Sequence, residues 1–79
     1  MAGVYVMLLE WIIHEDGCWV AYGQGGQKYE VGEGGGSQMI LNICGVRRFG
    51  AATTAECKAH ADEYEYRERV LNKMVELSQ

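Results

Sequence analysis

The chain has no proline, a single phenylalanine and only two histidines, and no glycine follows Gly50. Each scarcity excludes something. With neither proline nor glycine after Gly50, nothing in the last third of the sequence interrupts a helix. Basic residues are also few: seven Lys and Arg stand against eleven Asp and Glu, for a net charge of −4 and an isoelectric point of about 5.0. A field of that sign repels phosphate, which argues against nucleic acid and anionic membrane surfaces as partners. The best basic patch, Arg47-Arg48 followed by Phe49, is too small for a phosphate footprint, so Arg47 and Arg48 enter as candidate partner contacts only. Long hydrophobic runs are lacking as well. The stretch Val4 to Ile13 is broken by Glu10 and reaches about half of the roughly 20 residues a membrane span requires. It also lacks the basic start and small-residue cleavage site of a secretory signal.

Three cysteines, Cys18, Cys44 and Cys57, cannot all pair within one chain, which favours a reducing, cytoplasmic setting. His14, Cys18, Cys44, Cys57 and His60 have the chemistry of metal ligands, but no pair has the tight Cys-x-x-Cys spacing of a zinc knuckle. No metal or other cofactor is expected. Cys57 near a helix start, with His60 one turn on, lacks the oriented base and oxyanion donors a catalytic cysteine needs, so no catalytic residue is assigned. The glycine loops lack the Gly-Lys-Ser/Thr ending of a phosphate loop and read as flexible connections.

What is present suffices for folding. The apolar fraction of 48% argues against disorder, and 79 residues form one domain, 1–79. Val4 to His14 is rich in β-branched and aromatic residues and reads as a long first strand. Glu15-Asp16-Gly17 suits a three-residue hairpin loop with Gly17 in the left-handed position. That register sets Ile12 opposite Val20 and Ile13 opposite Trp19, with Leu9, Trp11, Ile13 and Trp19 on one face. A short strand follows at 27–31, and alternation of Met39, Leu41 and Ile43 with polar residues marks another at 39–43. A further segment, Val46 to Phe49, reads as strand or loop.

Thr53-Thr-Ala-Glu56 has the form of a capping box, opening a helix that runs to about Leu77. Cys57, Ala61, Tyr64, Leu71 and Val75 form its expected inward stripe, while Asp62, Glu63, Glu65 and Glu68 read as a solvated face. Glu63 with Arg67, and Glu65 with Arg69, sit four apart in the favourable order. The expected fold class is α+β: an antiparallel sheet of three to five strands over residues 4–49, followed by one long C-terminal helix, about 53–77, packed on it.

Lengths supply the functional clue. About 24 helical residues reach roughly 36 Å, whereas strands of five to seven residues span roughly 17–23 Å. Apolar residues therefore overhang the sheet: Val4 and Val6 on the strand side, and Val70, Leu71, Met74 and Val75 on the helix, with Tyr66 outward as a contact anchor. Trp11 and Trp19 read as core, with an aromatic platform on the uncovered sheet face as the alternative. These surfaces point to a protein partner or a homodimer, and to a non-catalytic protein-binding module acting as inhibitor or adaptor. In size and class the chain resembles small accessory proteins of phages and mobile elements, including anti-CRISPR inhibitors, without a diagnostic motif. A homo-oligomeric assembly subunit and a small nucleic-acid-binding protein are the alternative expectations.

Overall fold

The computed structural model describes residues 8–78. Five strands, β1 (Ile12–Ile13), β2 (Trp19–Tyr22), β3 (Lys28–Glu33), β4 (Met39–Ile43) and β5 (Val46–Ala51), form an antiparallel meander in chain order. Among the described residues, the one helix, α1 (Thr54–Leu77), packs across β3, β4 and β5. The α+β class, with one long helix on the sheet, is as expected from the sequence.

Local chemistry sets the turns. Ile12 pairs with Val20 and Ile13 with Trp19, as the hairpin loop predicts. Gly17 takes φ +87°, its amide donates to the His14 carbonyl at 2.9 Å, and the His14 amide donates to the Cys18 carbonyl at 2.8 Å. Between β4 and β5 the turn is only Cys44-Gly45, with φ +52° and +80°, which is the conformation of a two-residue hairpin that follows the strand twist. That turn settles the 46–49 segment as strand, and β5 extends to Ala51, with a register irregularity at Leu41/Asn42.

The first strand is shorter than expected. Among the described residues only Ile12–Ile13 pair as β1, and of the expected 4–14 strand residues 4–7 lie outside the described residues. Leu8 and Leu9 instead donate their amides to Asp62 Oδ1 on α1, at 2.8 and 3.1 Å, which draws the chain off the sheet edge and buries Leu9 beneath the helix. Ile13 is 56% exposed, although it shares a cross-strand pair with Trp19.

The core lies between sheet and helix. Ala21, Tyr29, Val31, Leu41 and Ile43 are buried on the helix-facing side in cross-strand register, and Cys57 and Ala61 meet them from α1. Thr53 Oγ1 accepts from the Glu56 amide at 3.2 Å, forming the first half of the capping box.

Two acidic residues expected on the solvated face are buried. Asp62 is 3% exposed, and Glu65 is completely covered. Glu65 accepts from the Tyr29 hydroxyl at 2.7 Å, the Gln24 amide at 2.9 Å and Arg69 Nε at 2.6 Å, so one carboxylate joins β3, the β2–β3 turn and α1. Gly23 lets that turn approach, because a Cβ there would collide with Glu65 Oε1. Burial alone would push the Glu65 carboxyl up, but the Gln24 amide, Arg69 and the Tyr29 hydroxyl outweigh it and hold it below its ordinary value. Burial, then the hydrogen bond to Glu65, push the Tyr29 phenol up.

A carboxyl depressed in the folded state stabilises the fold above its unfolded pKa, about 4.3, and that contribution is lost as pH falls through the folded value. Denaturant unfolding should therefore show stability declining below about pH 5. Glu65→Gln should cost about 1–3 kcal/mol at pH 7 through unsatisfied partners and flatten the acid slope. In the β4–β5 turn, Cys44→Asn should raise the unfolding midpoint, because asparagine accepts positive φ more readily than cysteine does.

Candidate protein-binding surface

The buried part of α1 ends at Glu65. Every residue from Val70 to Ser78 is exposed, including Val70 at 39%, Leu71 at 56%, Met74 at 60%, Val75 at 56% and Leu77 at 76%. Leu71 and Val75 were expected to continue the inward stripe. They keep its direction but are exposed, because the sheet stops short of them.

More than length is involved. At about 100° per residue, the direction that points Cys57 and Ala61 into the sheet continues through Glu65, Glu68, Asn72 and Glu76. It turns largely polar where the sheet ends, although Val75, five turns past Cys57, keeps its direction. Tyr66, Val70, Met74 and Leu77 lie about 140–180° away from Ala61, whereas Leu71 and Val75 lie only about 80° and 40° from it. Four of the apolar residues of the projecting segment thus lie on the outer side of the helix, where the protein's own sheet does not reach, while Leu71 and Val75 keep the inward side but extend past the sheet. Tyr66, Arg67, Val70 and Leu71 line a shallow groove of about 320 Å³ there. Arg67 donates to Glu63 at 2.8 Å along this exposed face.

Leu8 meets the same region. Arg69 Nη2 donates to the Leu8 carbonyl at 3.5 Å, which places Leu8 beside the point where the helix leaves the sheet. Val4 and Val6, the expected strand-side contacts, lie outside the described residues.

Trp11 and Trp19 are half-buried against the core on the helix side, rather than forming a platform on the outer sheet face. Lys58 of α1 caps them, with its ammonium 3.4 Å from the centroid of Trp19 and 5.7 Å from that of Trp11. Desolvation in this position lowers the Lys58 pKa. Tyr64 packs edge-on against Tyr29 while Tyr66, on the other side of the helix, is 61% exposed.

Arg47 and Arg48 are exposed on β5, far along the sheet from the helix end. Arg47 borders a hollow of about 230 Å³ with Cys18, Glu30, Ile40 and Asn42 on the outer sheet face. Cys57 is buried, with its thiol directed to the Met39 carbonyl at 3.5 Å, and burial pushes its pKa up. His60 stacks on Phe49 with ring centroids 4.1 Å apart. Among the described residues, no three His, Cys, Asp or Glu side chains cluster so as to hold a metal ion, and no helix is long and apolar enough to cross a membrane.

Asp62, Glu65 and Lys58 are the residues a sequence reading misassigns or passes over. The available signal is their phase: Lys58, Asp62, Glu65 and Arg69 share one side of α1 with the buried Ala61. Lys58→Ala should lower stability by about 0.5–2 kcal/mol and change tryptophan emission, since the cation over the two indoles is removed. Unchanged fluorescence and stability would show that the ammonium does not hold the indoles. The chain matches no family model, no curated protein sequence and no solved structure.

Proposed function

We propose that the protein is a non-catalytic protein-binding module, an inhibitor or adaptor that works by occupying a protein surface through the projecting end of α1. The observation that carries this reading is the exposure of Tyr66, Val70, Leu71, Met74, Val75 and Leu77 on the projecting end of α1, with Tyr66, Val70, Met74 and Leu77 on the side away from the sheet. Burying a Val, Leu or Met side chain contributes about 1.5–3 kcal/mol. Leaving these side chains in water forfeits an amount comparable with the whole stability of a small domain, about 5–15 kcal/mol. A surface of this kind marks a protein contact.

The remaining chemistry supports the same reading. Cys57 is sealed under the sheet and His60 is engaged with Phe49, so these two groups serve packing. The acidic balance favours a protein partner over nucleic acid. Three free thiols favour a cytoplasmic setting. Size and class alone align the chain with small accessory proteins of phages and mobile elements.

The test is association of the helix-end variant. Immobilised wild-type protein should retain a stoichiometric protein partner that Leu71→Glu/Met74→Glu releases, with circular dichroism of the two proteins superimposable. Equal retention by both would reject the helix end as the contact.

A further inference from the structure

We propose that β5 is a docking edge for an extended, acidic segment of another protein, which adds to the sheet as a further strand beside Val46–Ala51. This surface is separate from the projecting end of α1 and goes beyond the reading given for that end.

The cations of the chain single out this edge. Of the seven Lys and Arg, Lys28, Arg67, Arg69 and Lys73 each lie within ion-pair distance of a glutamate, and Lys58 rests on Trp19. Arg47 and Arg48 are the two that make no ion pair or hydrogen bond among the described residues. They are adjacent, exposed and on the outermost strand. No Asp or Glu occurs from Gly34 to Ala55, so two uncompensated positive charges sit at one edge of a chain whose net charge is −4. Charge alone would make this a solvated pair or a guard against edge pairing. The backbone beneath it adds a second observation.

β5 stands last in the strand order and pairs with β4, so one side of its backbone has no ladder among the described residues. The Cys44 amide donates to the Lys28 carbonyl at 2.8 Å, toward β3, so the preceding Ile43 turns its backbone groups to Val46 across the two-residue turn. Arg47, the next residue, therefore presents its amide and carbonyl to the open side. One residue thus offers both the ladder groups that bind a strand and an unpaired guanidinium that meets a carboxylate. Arg48 is the extra residue of the irregularity at Leu41/Asn42, since Leu41 pairs with Phe49 and Asn42 with Arg47. Phe49 stacks on His60 and Ala51 is buried, which holds β5 extended before any partner arrives.

The same features choose the occupant. A second copy pairing β5 to β5 about Arg47 would set the arginines of both copies side by side, and like charges opposite one another destabilise a sheet. Nucleic acid would need a wider cationic footprint than two side chains and would leave the amide and carbonyl of the edge without a ladder. An extended peptide carrying carboxylates satisfies the backbone and the guanidinium groups together.

The test is titration of the isotope-labelled full chain with a synthetic peptide of alternating glutamate and valine, read by amide chemical shifts and hydrogen exchange. The Arg47 amide should shift and its exchange should slow, while a peptide with lysine in place of glutamate should bind at least about 10-fold more weakly. Arg47→Glu/Arg48→Glu should reverse that preference with the amide shifts of α1 unchanged. Leu71→Glu/Met74→Glu should bind the acidic peptide as the wild type does, and loss of binding in that variant overturns β5 as the site. Absence of shifts along β5, or equal binding of the two peptides, overturns the acidic strand. Tighter binding of a single-stranded oligonucleotide at the same amides overturns a protein partner, and the same shifts on concentrating the protein alone overturn a heterologous one.

Discussion

The carboxylate of Glu65 is the group on which the rest of the arrangement depends. It is fully buried, yet three donors from separate parts of the chain meet it: the Tyr29 hydroxyl from β3, the Gln24 amide from the β2–β3 turn and Arg69 Nε one helical turn on. A buried charge is costly unless its lone pairs are matched. Here matching is possible only when helix, turn and strand hold one relative position. Asp62 makes a parallel connection on the adjoining helical position, accepting the amides of Leu8 and Leu9. Two neighbouring acids thus attach the helix to the sheet and to the chain that enters β1.

That attachment explains the polarity change along α1. The sheet-facing stripe begins with small or apolar residues, Cys57 and Ala61, passes through Glu65 and ends as Glu68, Asn72 and Glu76. Glu65 marks the edge of the core. Beyond it, the inward direction faces water and is mostly polar apart from Leu71 and Val75, while Tyr66, Val70, Met74 and Leu77 lie on the opposite side. The projecting segment is therefore a second amphipathic surface with its own orientation, continuous in backbone with the first but rotated from it.

Several features were legible in the residues themselves. Glu15-Asp16-Gly17 specified the first hairpin register, the alternation of Met39, Leu41 and Ile43 specified β4, and Thr53 with Glu56 specified the helix start. The β4–β5 hairpin was not, because Cys44 occupies a position where Asn or Asp usually announces a two-residue turn. The length of the first strand was overestimated for a different reason. Branched and aromatic composition describes what a pleated surface tolerates, whereas Asp62, distant in sequence, takes the Leu8 and Leu9 amides out of the ladder.

Sequence alone determined the class of the fold, the existence of the long helix and the overhang of apolar residues at its end, because periodicity, turn chemistry and element length are local properties. The tertiary structure decided which charges are core and which are solvent. The i,i+4 pairs Glu63 with Arg67 and Glu65 with Arg69 look equivalent in the sequence, yet one is exposed and the other closes a buried network. The difference depends on where Tyr29 and Gln24 arrive from elsewhere in the chain. It was also the packed structure that showed Tyr66, Val70, Met74 and Leu77 to face away from the sheet, since direction around a helix acquires meaning only once one of its sides is buried.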